Sequence, residues 1–398
     1  MRSPRRVFLG AFGQPGHAFP MLALGRRLVE RGHEVTYETW GRWREHVEAA
    51  GIEFLPAPEY PVFPTRERPL KPYEAVVRAT APTRAAIAAR RPDVVVHDIL
   101  TLAPSLAAEL EGVPTVTLIP HLFPVAAPGF APYSVGARLP RTRAGQVFWG
   151  MFARPLEQGL RQGRDQLNET RRRLGLAPLQ RLHGGLSPSL CLVATFPQLE
   201  YPREWPPAVH VVGPMLWEPP APGTVAPPPG GEPLVVVAPS TSHDPGQRLL
   251  RASLEGLRGV NVRVLASLDR RPAAAPVRAG QRARLVNWMS YTDVMGEAAL
   301  VICHAGHGTI ARALARGVPI LAVPHSGDMA ENAARLDWAE LGVRLPWRFL
   351  SAPTLRLAAE RALGRQAQLS AKASELSMWA ATHDGPTRAA ELIEALPG

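Results

Sequence analysis

Residues 298–333 read A-A-L-V-I-C-H-A-G-H-G-T-I-A-R-A-L-A-R-G-V-P-I-L-A-V-P-H-S-G-D-M-A-E-N-A, and no other stretch constrains the fold as much. The apolar run 300–303 predicts a buried parallel strand that stops at His304. A glycine-rich turn, 305–308, follows, and then a helix from near Thr309 to Gly317, a good residue just past a helix end. A second apolar strand, 320–323, leads to Pro324 and a polar turn holding Asp328. Strand, glycine turn and helix start together make a place for a phosphate. The turn lets backbone N–H groups approach, and the helix N-terminus favours negative charge. No lysine sits in the turn, so it is not the G-x-x-x-x-G-K-[ST] nucleoside triphosphate loop.

The same alternation recurs along the chain. Strands are expected at 7–12, 34–39, 94–97, 115–119 and 190–194, with a loop at 13–19 and helices at 20–31 and 104–111. Residues 123–152 are rich in proline and aromatics and show no clean period. Residues 213–233 are crowded with proline, including Pro227-Pro228-Pro229, and read as an extended linker. Beyond it come a strand at 234–238, a helix at 245–257 and a strand at 262–266. The predicted class is α/β: two doubly wound parallel-sheet units facing each other, with ligands beyond the carboxyl ends of the strands.

Composition removes several classes. At 398 residues the chain exceeds one ordinary core. Its formal charge of +11 invites a polyanion partner, but the charge is almost all arginine, with only Lys71 and Lys372 as lysines, and it is scattered. No nucleic-acid partner is expected, and at most weak peripheral contact with anionic lipid. Cys191 and Cys303 lie in apolar runs and read as free buried thiols of a cytoplasmic protein. The apolar run after Arg5 and Arg6 is too short for a signal peptide, and no stretch approaches the roughly 20 apolar residues of a membrane span.

Two residues suggest acid–base chemistry. His17 follows the first strand, and a histidine is the natural base near neutral pH. Asp98 follows the strand 94–97; it reads either as the carboxylate that orients an imidazole or as a helix-capping aspartate after a strand. His97, beside it, would point to the opposite face.

The segments F-G-Q-P-G-H-A-F-P-M-L-A-L at 12–24, V-V-V-H-D at 94–98, V-G-P at 212–214, H-A-G-H-G-T at 304–309 and G-D-M-A-E-N-A at 327–333 span the chain. In that order they resemble the inverting GT-B glycosyltransferases of family 1, the bacterial natural-product enzymes above all. The resemblance implies residues 1–212 as an acceptor-binding domain and 213–233 as the linker. It implies 234–378 as the nucleotide-sugar domain and 379–398 as a helix crossing back to the first. It implies His17 as general base paired with Asp98, and transfer from a UDP- or dTDP-sugar to a hydroxyl of a hydrophobic small molecule. No metal is implied and no D-x-D occurs; His304, Gly306, Gly308 and Thr309 would hold the departing diphosphate, with Ser240 and Thr241 in a second loop.

Asp328 has two readings that are compatible, a capping box with Glu331 and an acceptor for sugar hydroxyls. The family's glutamine after it is Met329 here, which suggests a deoxysugar; Glu331 and Asn332 match positions near the donor. Trp288 matches the base-stacking aromatic, though Ser290 and Tyr291 depart from the pattern, and it also reads as a core anchor. Phe63, Tyr73, Phe123, Tyr133, Phe148 and Trp149 are expected to line the acceptor pocket or to pack loops. The oligomeric expectation is a monomer or homodimer. Two rival readings share the architecture: a membrane-associated transferase acting on a lipid-linked acceptor, and a non-catalytic auxiliary protein.

Overall fold

The apolar runs form two wholly parallel sheets in the computed structural model. It describes residues 3–57, 74–220, 223, 225–239, 244–270, 272, 280–325 and 327–397. The first sheet contains β1 (Arg6–Gly10), β2 (Glu34–Thr39), β3 (Glu53–Pro56), β4 (Val94–Asp98), β5 (Thr115–Ile119), β6 (Cys191–Val193) and β7 (Val209–Val211), in the order β3-β2-β1-β4-β5-β6-β7. The second contains β8 (Leu234–Ala238), β9 (Arg263–Ser267), β10 (Ala283–Val286), β11 (Ala298–Cys303), β12 (Ile320–Ala322) and β13 (Gly342–Arg344), in the order β10-β9-β8-β11-β12-β13. Helices cover both faces, so the central strands β4 and β8 are buried at every position. That is why they read as continuous apolar runs rather than alternating ones.

Each order reverses direction once. The chain runs outward from β1 to β3, then returns to place β4 on the other side of β1; in the second sheet β11 lies beside β8 in the same way. Ligands of open α/β sheets bind beyond the strand ends at such switch points. Residues following β1 and ending β4 therefore meet at one, and residues following β8 and β11 meet at the other.

The first helix, Pro15–Glu30, begins at Pro15 rather than near residue 20. Pro15 occupies its first turn, where a missing N–H costs nothing, and Pro20 is carried inside. His17 is thus part of the first helical turn, its N–H bonded to the Gln14 carbonyl, and not in a loop. The aperiodic stretch 123–152 holds a helix, Arg143–Gly150, which is followed by a long one, Ala153–Arg173.

The last helix, Gly385–Glu394, packs on the first through Ala389, Ala390 and Ile393 against Met21, Leu24 and Leu28. Glu394 clamps it: Arg31 donates through Nε at 2.6 Å and Nη2 at 2.8 Å, and His33 Nε2 lies 2.9 Å away. The Arg31 hydrogen bonds hold this carboxyl down at about 2. The proline-rich connector is pinned as well. Arg312 of the helix His307–Ala315 donates to the Trp217 carbonyl and pairs with Glu218, which also accepts from Ser290 Oγ at 2.6 Å.

Candidate active site

His17 and Asp98 are brought together by the β1/β4 switch point. His17 Nδ1 lies 2.7 Å from Asp98 Oδ2, and the Asp98 side chain is fully buried while His17 keeps some exposure. An ionised carboxylate only accepts, so this contact places the proton on Nδ1 and leaves the Nε2 lone pair for chemistry. Asp98 Oδ1 meanwhile accepts from the Leu100 N–H at 2.9 Å. The imidazole-pairing geometry is present, but Asp98 does not cap the next helix, Leu102–Leu110: its N-cap is Thr101 with no side-chain cap, and Oδ1 closes a local turn instead. Thr101 Oγ1 accepts from the Phe12 N–H at 3.1 Å, tying the β1 loop to the end of β4. The Phe12 ring lies 4.4 Å from the His17 ring and backs it. His97 does face the other way: its Nε2 is 2.9 Å from Thr117 Oγ1, and burial pushes its imidazole down to about 4.

At the second switch point, β11 leads into Ala305, held at φ +66°, and then into the helix His307–Ala315. A Cβ on Gly306 would lie 2.5 Å from His304 Nε2, so glycine is what lets the imidazole lie over the turn. The Thr309 N–H closes on the Gly306 carbonyl at 3.1 Å, which leaves its hydroxyl as the group to offer a ligand. The Gly308 carbonyl accepts from Arg312 Nη1 at 2.9 Å. Ser240 and Thr241 lie outside the described residues.

The helix Asp328–Trp338 corrects part of the sequence reading. Its N-cap is Gly327, and no side chain caps it, so the Asp328–Glu331 capping box does not form. Glu331 turns to Arg335 instead, at 3.0 Å. Asn332 Nδ2 donates to the Ala305 carbonyl at 2.9 Å and braces the glycine turn. Met329 is a core residue at 5% exposure rather than a cleft residue. Among the described residues Asp328 is the acid of this first turn left without a partner, and it is partly exposed. Trp288 is no core anchor: it is half-buried, with the Arg270 guanidinium 4.6 Å from its ring centre.

Residues 251–396 match the family model described as Erythromycin biosynthesis protein CIII-like, C-terminal domain. The 4'-demethylrebeccamycin synthase of Lentzea aerocolonigenes is 26% identical across 98% of this chain and 99% of its own. The oleandomycin glycosyltransferase of Streptomyces antibioticus is 25% identical across 99% of this chain and 91% of its own. Among solved structures, the glycosyltransferase VinC in complex with DTDP superposes with a TM-score of 0.68 at 19% identity, over 98% of each chain. The chain has the GT-B fold and is similar along nearly its whole length to a glycosyltransferase.

The chain also has histidines near the two switch points that sequence reasoning missed. His121, just past β5, has its ring centre 6.5 Å from that of His17, with Nδ1 2.8 Å from the Leu122 carbonyl and 3.3 Å from the Tyr133 hydroxyl. Burial and the nearby His17 both push it down. His307 reaches from the second sheet to the Ala194 carbonyl of the first at 3.3 Å, and burial pushes it down to about 4. The available signal was position: His121 lies just past a strand end and His307 opens the helix that follows another strand.

Two cavities flank the histidines. One, bordered by Phe123, Phe130, Tyr133, Tyr201, Glu331 and Arg335, takes in two of the expected acceptor aromatics. Phe148 and Trp149 are not among its lining residues; they sit on the helix Arg143–Gly150, which buries no side chain. Phe63 and Tyr73 lie outside the described residues. The other, a small pocket, is bordered by Phe12, Glu38, Trp40, Thr83, Thr101 and Pro104. Glu38 is 6% exposed, accepts from Thr83 Oγ1 at 2.8 Å, and is pushed up by burial to about 7.

The folded-state value of Glu38 lies above the ordinary 4.5, so its contribution to stability is full below pH 4.5 and is lost as pH rises through about 7. Glu38→Gln is therefore expected to raise Tm at pH 8 by roughly 5 °C and to change little at pH 4. Thermal unfolding at the two pH values measures this; equal shifts at both would show that the carboxyl is not held protonated.

Proposed function

We propose that this glycosyltransferase moves a sugar from a dTDP- or UDP-sugar to a hydroxyl of a hydrophobic small-molecule acceptor, with inversion and without a metal. The observation that carries the reading is the 2.7 Å contact of His17 with buried Asp98 at the switch point. His17 Nε2 takes the acceptor proton while its oxygen attacks the anomeric carbon. The bond from that carbon to the diphosphate oxygen breaks, and the electron pair leaves with the nucleoside diphosphate. Asp98 steadies the imidazolium. His304, the Thr309 hydroxyl and the helix N-terminus stabilise the leaving diphosphate, with Ser240 and Thr241 assigned to the same task. Asp328 accepts from the sugar, and Trp288 stacks on the base. Residues 1–212 serve the acceptor and 234–378 the donor.

Support for a thymidine nucleotide comes from the structural neighbour with bound DTDP. The two buried free thiols, Cys191 and Cys303, fit a cytoplasmic enzyme, and burial pushes Cys303 up to about 12. An intact dyad favours catalysis over an auxiliary role.

The test is turnover of a dTDP- and UDP-sugar panel with aglycone acceptors, with product configuration read by NMR and chelator present. An inverted product formed at an undiminished rate is expected. Retained configuration, or activity lost to chelator and restored by Mg²⁺ or Mn²⁺, would refute the mechanism. Gly306→Ala adds a second check. The new Cβ must displace the His304 ring, which is 2.5 Å away. Donor KM is expected to rise and kcat to fall, together by roughly 100-fold in kcat/KM, with Tm little changed. Unaltered steady-state kinetics would take His304 out of the donor site.

A further inference from the structure

We propose that the nearly continuous helical segment formed by the helix Arg143–Gly150 and the start of Ala153–Arg173 is a docking surface for an anionic lipid bilayer. Of the eleven exposed large hydrophobic side chains among the described residues, five fall here: Val147, Phe148, Met151, Phe152 and Leu156. Val147 is 69% exposed and Met151 63%. Their spacing places them on one face, an arrangement that a soluble surface rarely carries unless it meets a partner.

The charge around them is one-sided. Residues 112–156 contain no aspartate or glutamate. Arg141, Arg143 and Arg154 are exposed, and among the described residues none has a carboxylate partner, whereas Arg161 and Arg171 further along the second helix are paired. The segment is anchored at its far end: Arg171 grips Glu109 through two hydrogen bonds of 2.6 and 2.7 Å, and Leu167 is buried. Its near end, from Thr142 through Gly159, buries no side chain. Cationic arginines beside Phe148, Trp149, Met151 and Phe152 match the headgroup boundary of an acidic membrane, where guanidinium stems and aromatic rings are half immersed. No described helix is long and apolar enough to cross a membrane, so the contact is peripheral.

Position adds a reason. Gln146 packs where a Cβ on Gly129 would be 3.4 Å away, and the adjacent Phe130 borders the cavity beside Tyr133. A hydrophobic acceptor dissolved in the bilayer would enter there. This last step rests on the function proposed above; the docking itself does not, and is measured without turnover.

The experiment is co-sedimentation of the full chain with vesicles of phosphatidylcholine alone and of phosphatidylcholine mixed with phosphatidylglycerol. Binding to the mixed vesicles only, weakened by salt, is expected. Replacing Arg141, Arg143 and Arg154 together by Gln is expected to lower the partition coefficient roughly 100-fold. Met151→Ser with Phe152→Ser is expected to lower it roughly 10-fold, from loss of the apolar contact. Unchanged Tm in both variants confirms that they fold. Wild-type chain that stays in the supernatant with both vesicle types would overturn the proposal. So would concentration-dependent self-association, seen by analytical ultracentrifugation, that the Met151/Phe152 variant abolishes; the face would then belong to a second copy of the chain.

Discussion

His17→Ala is expected to lower kcat by roughly 10²–10⁴-fold while leaving nucleotide affinity nearly intact. The imidazole sits with Nδ1 2.7 Å from Asp98 Oδ2, and Phe12 supports it at 4.4 Å between ring centres. Those contacts fix tautomer and orientation in advance, so Nε2 meets the acceptor without reorganisation. Alanine removes the proton acceptor but touches nothing on the second sheet. The measurement pairs single-turnover kinetics with calorimetric titration of the nucleoside diphosphate. Asp98→Asn belongs in the same series. The asparagine amide can donate to Nδ1, which favours the wrong tautomer and removes the charge that steadies the imidazolium. A loss similar to that of His17→Ala is expected, with no additive loss in the double variant. Unchanged turnover in His17→Ala would assign the base elsewhere, and His121 would be the next residue to replace.

Arg335→Leu carries the largest expected effect on stability. The Arg335 guanidinium is buried and binds Glu331 at 3.0 Å, Glu200 at 3.2 Å and the Leu199 carbonyl at 3.2 Å, with its carbon 3.4 Å from the Tyr201 ring centre. Glu200 also accepts from the Phe123 N–H at 2.7 Å, so the network joins the first half of the chain to the helix Asp328–Trp338. Removing the cation strands two buried carboxyls, both already pushed up by burial. Losing one member of such a group costs about 3–5 kcal/mol, or roughly 10 °C in Tm. The sign with pH follows. Carboxyls raised further in the variant are tolerated when protonated, so the deficit is greatest above neutral pH and shrinks as pH falls. Adding Glu200→Gln is expected to restore part of the loss at pH 8. A deficit independent of pH, with no rescue, would mean that packing on Tyr201 and not charge holds this junction.

The glycine turn and the dyad were legible in the sequence because each follows an apolar run long enough to recognise. β4 opens with three consecutive valines and β8 is an unbroken run of Leu, Val and Ala, and the ends of such strands are where ligands gather. Short edge elements were not legible. β7 and β13 have three residues each, fewer than two periods of alternation, so nothing separates them from loop until a neighbour pairs with them. The start of the first helix was misplaced because two prolines, Pro15 and Pro20, both fit a helix N-terminus. The Asp328–Glu331 capping pattern was a sound local inference that Arg335 overrode. A buried guanidinium holds Glu331 more strongly than an exposed backbone N–H would.

The sequence by itself determined the two parallel sheets, the connector between them and the residues at each switch point, His17, Asp98 and His304. These are properties of local runs and of chain order. Only the tertiary structure decided which side chains face the cleft. It turned Met329 into the core and Asn332 onto the Ala305 carbonyl, and it buried His307 and Glu38 and half-buried His121, which lie far apart in the chain. It also left Val147 to Leu156 uncovered. Burial and pairing depend on neighbours as distant as the 135 residues between Glu200 and Arg335, and no local period records them.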